Sequence, residues 1–164
     1  VSGSCSLATQ LQVSAFVDAG GAAFAVDARR LADGADLIDE AMAWAAPRLG
    51  QQPLLIHATA PADRVREIQA RLGAQRAGAL VETTLAAIAL RLVRAGVGRL
   101  MVAGGETSGA CVQSLGVRML RIGPQIEPGV PWCHAPGQQL HLALKSGNFG
   151  GEDFFARAFA ALPA

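Results

Sequence analysis

Arg99-Leu100-Met101-Val102-Ala103-Gly104-Gly105-Glu106-Thr107-Ser108-Gly109-Ala110 is the stretch on which the fold turns. Its opening is a short apolar run that stops at glycine, the pattern of a buried strand over residues 99–103. Two glycines break the run, and the chain then leads into a helix through Cys111 and Leu115. Strand, glycine turn and helix in immediate succession form the repeating unit of an α/β layer architecture with a mostly parallel sheet.

The alternation continues outward. Further strands are predicted at residues 1–5, 23–27, 54–58, 118–122 and 140–144, and a helix through Leu11 and Ala15 follows the first. Leu37, Ala41, Ala45 and Leu49 recur every fourth residue behind Asp36, whose carboxylate suits a helix N-cap. Val65, Ile68 and Leu72 repeat the pattern before Gly73. Val81, Leu85, Ile88 and Leu92 make the clearest apolar stripe, closed by Gly96, a residue free to take the left-handed conformation. Phe154, Phe155, Ala158, Phe159 and Leu162 predict a last helix with an aromatic face. The expectation is one α/β domain over residues 1–164, a three-layer sandwich with a mostly parallel, Rossmann-like sheet.

Composition narrows the function. Fourteen Lys plus Arg against thirteen Asp plus Glu leave a formal charge of +1, too weak a field to recruit nucleic acid or an anionic membrane. The greasiest stretch, residues 77–103, is interrupted by Glu82, Arg91, Arg94 and Arg99, which excludes a membrane-spanning helix there. Cys5, Cys111 and Cys133 are odd in number and lack metal spacing, so a reducing, cytoplasmic setting is expected. The chain starts at Val1 in what reads as a strand, which predicts a fragment of a longer two-domain protein.

Small-residue turns follow the strands, where open α/β sheets place their ligands. They are Ser2-Gly3-Ser4-Cys5-Ser6, the Gly104–Gly109 turn quoted above, and Lys145-Ser146-Gly147-Asn148-Phe149-Gly150-Gly151. A phosphate needs several convergent N–H donors at close range, and glycines at a helix N-terminus allow that approach. Thr107 or Ser108 would cap the helix, and Lys145 would supply a point charge to a β- or γ-phosphate. A Walker A loop is excluded because Leu144 precedes Lys145, and a dinucleotide fingerprint is disfavoured because Glu106 stands where it needs glycine.

Gly3-Ser4-Cys5-Ser6 with Thr9 and Gln12, residues 104–110, Pro128-Gly129-Val130-Pro131-Trp132, and residues 145–150 with Asp153-Phe154-Phe155 together resemble the carboxyl-terminal, nucleotide-binding half of the four-carbon acid sugar kinases. The resemblance spans essentially the whole chain, although residues 32–78 carry nothing diagnostic. It implies ATP-dependent phosphorylation of an alcohol group on threonate, erythronate or 3-oxo-tetronate. The acid sugar would be bound by an amino-terminal domain absent here, and the fragment would be inactive alone. ATP would meet Ser6, residues 104–107 and Gly147.

The expected nucleotide contacts are therefore Ser4, Ser6, Gly104, Gly105, Glu106, Thr107, Ser108, Lys145, Ser146 and Gly147, for ATP or ADP with Mg²⁺. Glu106 can hold the Mg²⁺ or merely compensate the helix dipole; Glu152 and Asp153 read as caps. No catalytic base is identifiable. Trp132 can flank an adenine or pack in the core, and His57 reads as a hydrogen-bonded strand-end residue. Cys111, Cys133, His134 and His141 lack a tetrahedral spacing for zinc. The runner-up function is a non-catalytic module sensing a nucleotide or phosphorylated metabolite.

With 51% apolar and 16% charged residues, the surface is expected to carry a face for another domain and to self-associate as a homo-oligomer when that domain is missing. Light scattering across a concentration series checks this: mass should rise with concentration. A monomer throughout, with no solubility gained on restoring the longer chain, would refute it.

Overall fold

The structure is a computed structural model that describes residues 1–162. In chain order the elements are α1 (Leu7–Asp18), β1 (Ala22–Ala25), α2 (Ala28–Ala32), α3 (Leu37–Ala45), β2 (Leu54–His57), α4 (Ala62–Leu72) and α5 (Ala74–Arg94). They continue with β3 (Arg99–Ala103), α6 (Gly105–Ser114), β4 (Arg121–Glu127), β5 (Val130–Ala135), β6 (Leu140–Lys145) and α7 (Phe154–Ala160). The α/β class expected from the sequence is the class observed.

β1 and β2 form a parallel pair, and the other strands make a mixed sheet in the order β3-β6-β5-β4. Only β3 and β6 run parallel there; β5 is antiparallel to both β6 and β4. The expected strand at residues 1–5 shrinks to a stitch between the two sheets. Ser2 bridges His57 and Ala103 in parallel, its N–H donating to Ile56 O at 2.9 Å while Gly3 N–H donates to Ala103 O at 2.9 Å. The chain leaves the sheet at Gly3, where a Cβ would run into Thr107 Oγ1.

Three further expectations are corrected. The strand placed at residues 118–122 lies at Arg121–Glu127, an exposed edge on which Pro124 costs no ladder bond. Residues 130–135, where the sequence predicts no strand, form β5. Pro128-Gly129 makes a tight turn, with Gly129 at φ +81°, and Pro131 sits at a register shift against Gln125. The helix expected to reach Leu49 ends at Ala45 and continues as a 3₁₀ turn, Ala46–Arg48, because Pro47 has no N–H. Its start is as expected, Asp36 Oδ1 accepting from Asp39 N–H at 3.0 Å.

Apolar side chains alternate along the central strands. Leu100 and Val102 of β3 pack with Ala86 and Ala89 of α5 and Cys111 of α6, whereas Met101 and Ala103 pack with Val13 of α1 and Phe154, Phe155 and Ala158 of α7. Ile56, Leu85, Ile88 and Leu37 form a third cluster. The 85/88/92 stripe of α5 is buried, and the chain turns at Gly96 with φ +99°.

Trp132 is fully buried, edge-on to Phe159 with ring centroids 5.7 Å apart, and its Nε1–H donates to Ala158 O at 2.7 Å. Of the two roles open to this residue, core packing is the one observed. Trp132→Phe leaves that carbonyl without its donor and should cost about 1–3 kcal/mol in urea unfolding; an unchanged midpoint would contradict the bond's structural role.

Candidate functional site

A cleft of about 650 Å³ opens at the carboxyl ends of β1, β2, β3 and β6. Gly3, Ser4, Gly104, Gly105, Glu106, Thr107, Ser146 and Gly147 line one end. The other is walled by Val65 and Ile68 of α4 and Ala77 and Val81 of α5, with Asp27, Arg29, His57, Arg64 and Glu82 around them.

The three loops singled out in the sequence meet at this first end, and they interlock. A Cβ on Gly104, which has φ +118°, would stand 3.2 Å from Ser4 N and 3.1 Å from Thr107 Oγ1. A Cβ on Gly147 would collide with Ser4 Oγ. Glycine at positions 3, 104 and 147 is therefore what allows three backbones to share one small volume.

α6 begins at Gly105, so Thr107 occupies its third position and Ser108 its fourth, and neither caps it. No side chain bonds this N-terminus, which leaves its first N–H groups free beside the cleft. Glu106 is exposed there, while Thr107 is buried with its hydroxyl between Gly3 and Gly104. Ser108 is buried, does not line the cleft, and its Oγ has no hydrogen-bond partner. The caps expected from Thr107 or Ser108 are thus absent.

The loop after β6 is held from behind. Gly147 O accepts from Ser6 Oγ at 2.7 Å and Thr9 Oγ1 at 2.8 Å. Gln12 Nε2 donates to Phe149 O at 3.0 Å and Gly150 O at 2.8 Å. Because N–H and C=O of one peptide point in opposite directions, turning Gly147 O inward turns the Asn148 N–H outward. Ser6 also caps α1, accepting from Thr9 N–H at 3.2 Å. It supports the loop and does not itself line the cleft.

Lys145 departs furthest from expectation. Its ammonium donates to Ser146 O at 3.2 Å, Phe149 O at 3.2 Å, Gly147 O at 3.3 Å and Thr9 Oγ1 at 3.4 Å, and lies 5.7 Å from the Phe154 ring centre. The side chain is 2% exposed, is not part of the cleft lining, and burial lowers its pKa to about 8. The reason is strand parity. Leu140, Leu142 and Leu144 pack toward α5 and α6, so Ala143 and Lys145 face α1 and α7.

At the far end Asp27 caps α2, accepting from Arg29 N–H at 2.8 Å. Burial would raise its pKa, but the bonds from Arg29 N–H and guanidinium hold it below the ordinary value. His57 ends β2 as expected; burial lowers its pKa against the opposing effect of a backbone hydrogen bond at Thr59, and its Nδ1 has no partner. These residues were missed as cleft residues, although the rule that placed the glycine loops, ligands at strand ends, applies equally to β1 and β2. Asp153 bonds Arg157 Nε at 2.9 Å without capping α7, and it is exposed along with Glu152. Burial raises the Cys111 thiol to about 11. No cluster of three metal-ligating side chains occurs among the described residues.

Comparison with known proteins follows the same outline. The family model described as "Nucleotide-binding C-terminal domain" matches residues 1–155. The 3-oxo-tetronate kinase of Pseudomonas fluorescens is 50% identical over 99% of this chain and 37% of its own length. That of Cupriavidus necator is likewise 50% identical, over 99% of this chain and 37% of its own. A Haemophilus influenzae protein known by crystal structure superposes with TM-score 0.91 at 39% identity, covering 97% of this chain and 39% of that one. The chain thus spans 37% of the length of these curated relatives.

Gly105 and Gly147, both expected nucleotide contacts, differ in the room around them. A Cβ on Gly105 meets nothing within 4 Å, whereas one on Gly147 collides with Ser4. Gly105→Val should keep its unfolding midpoint and lose about tenfold in ADP affinity by calorimetry, about 1.4 kcal/mol, while Gly147→Val should lose both stability and binding. Unchanged affinity in Gly105→Val would remove this turn from the site.

Proposed function

We propose a function from one premise: the chain belongs to the nucleotide-binding C-terminal domain family and fits the four-carbon acid sugar kinases that its loops resemble. It binds the ATP of a phosphotransferase whose acceptor is an alcohol group on a four-carbon acid sugar. The relatives' names favour 3-oxo-tetronate over threonate or erythronate. The observation that carries the reading is the interlocking of three loops at one cleft, with the N-terminus of α6 uncapped beside them. A three-layer, Rossmann-like arrangement belongs to the same reading, supported by the alternation of Leu100 and Val102 with Met101 and Ala103 between clusters.

The mechanism is positioning plus electrostatics. N–H groups at the start of α6 and at Asn148 hold phosphate oxygens, and the α6 dipole favours the negative charge. Val65, Ile68, Ala77 and Val81 offer the base a dry wall. Glu106, the carboxylate lining the loop end of the cleft, would hold a Mg²⁺, an ion that needs only one or two carboxylates beside phosphate oxygens and would supply charge neutralisation there. The acid sugar and the catalytic base are assigned to the rest of the longer protein, and the free cysteines suit a cytoplasmic enzyme.

Calorimetry with ADP and Mg²⁺ and a coupled kinase assay test the reading. The chain should bind ADP without turning over a tetronate, and the longer parent protein should turn it over. No heat at millimolar ADP, or clear turnover by the chain alone, would overturn it. Binding without ATP turnover by the parent would assign the sensing module instead.

A further inference from the structure

Lys145 is the single lysine of the chain; the other thirteen cationic side chains are arginines. It is also a cation buried without an anion. All four of its hydrogen-bond acceptors are neutral, and none of the ion pairs among the described residues includes it. The packed elements bring no counter-charge. α1 ends in the exposed Asp18, and α7 contributes Arg157, whose guanidinium is paired with both Glu127 of β4 and the exposed Asp153, so neither carboxylate is left over for Lys145. Arg99 and His141 pair with each other four residues along β3 and β6 from the Ala103 and Lys145 pair, roughly 13 Å away at the usual strand rise. A buried, unpaired ammonium is costly. The loop that it holds has one side on Lys145 and the other on the cleft.

We infer that Lys145 is the counter-charge of the bound phosphates acting through the loop: a positioning residue that fixes the 146–149 carbonyls inward and is itself stabilised as a cation when an anion occupies the cleft. The inference rests on the nucleotide reading above and deepens it. The consequence is linkage. Free Lys145 titrates near 8 against an ordinary 10.5. An anion across the loop favours the charged form, so the bound state holds more protons above about pH 8. Nucleotide affinity then falls as pH rises from there, and is flat below. An arginine could not do this, because it stays charged throughout.

One lysine makes the test direct. Lysine labelled with carbon-13 at Cε gives one side-chain signal in this chain, and its midpoint is read with and without saturating ADP and Mg²⁺. The midpoint should rise by about one pH unit, which is a tenfold coupling of protonation to binding. Adenosine, which lacks phosphate, should leave it in place, and pyrophosphate should move it as ADP does. Calorimetry above pH 8, in two buffers of different ionisation enthalpy, should show proton uptake that Lys145→Met abolishes while weakening ADP binding about tenfold. Should that variant not fold, Thr9→Val, which removes one neutral tether and keeps the cation, must still show the uptake. Binding with an unmoved lysine midpoint overturns this inference alone; no binding by the wild-type chain overturns the nucleotide reading with it.

Discussion

Ser4 is the point at which three stretches of backbone, far apart in sequence, come too close for side chains. Its hydroxyl and amide occupy the space that a Cβ on Gly147 or Gly104 would need, and Gly3 beside it abuts Thr107 in the same way. Everything else in the molecule serves this approach. The bridge at Ser2 ties Val1 to Gly3 between β2 and β3, so the first loop emerges level with the ends of both strands. β6 lies parallel to β3 and delivers the third loop at the same height, with Ala103 opposite Lys145. A parallel arrangement is required at these strands, because only parallel strands put their carboxyl-end loops on one edge.

The support behind the loops is polar but almost uncharged. Ser6, Thr9 and Gln12 stand on one face of α1, and each spends its donors on carbonyls of residues 147–150. Backbone carbonyls facing an anion site would repel the ligand, so turning them toward α1 removes an unfavourable term as well as fixing the loop. Gln12 and Thr9 are fully buried, which makes these bonds costly to leave unmade. The helix that carries them is bland in apolar pattern, with Leu7 and Leu11 exposed, and its polar face is what binds it to the rest.

Sequence made part of this legible. β3 appears at the expected residues because its apolar run is bounded by glycines on both sides, and α5 because its stripe persists over several turns. The loops were legible as a group because three small-residue turns follow strands, and the structure brings all three to one cleft. β5 was hidden by its prolines, since the shift that excuses Pro131 is a property of the partner strand. Thr107 and Ser108 look like caps by residue type, but the helix starts earlier and Gly104, three and four residues before them, holds the cap position. The far end of the cleft was silent because Val65, Ile68 and Val81 are ordinary helix-face residues until two helices are known to wall one space.

Lys145 is singled out by the sequence, and its ammonium lies behind the loop rather than in the cleft lining. A lysine in a glycine loop invites the reading of a phosphate ligand, yet the alternation of Leu140, Leu142 and Leu144 already assigns position 145 to the opposite face. Direct contact would require the side chain to cross the strand it belongs to. Acting through peptide dipoles instead, the cation lies behind the carbonyl ends and the anion before the N–H ends. In the proposed reading the two charges are bridged by oriented dipoles, and on the buried Lys145 side such alignment is stronger than it would be in solvent. The arrangement keeps the charge of Lys145 behind the loop, 2% exposed, while Ser146 and Gly147 on the loop's other side line the cleft.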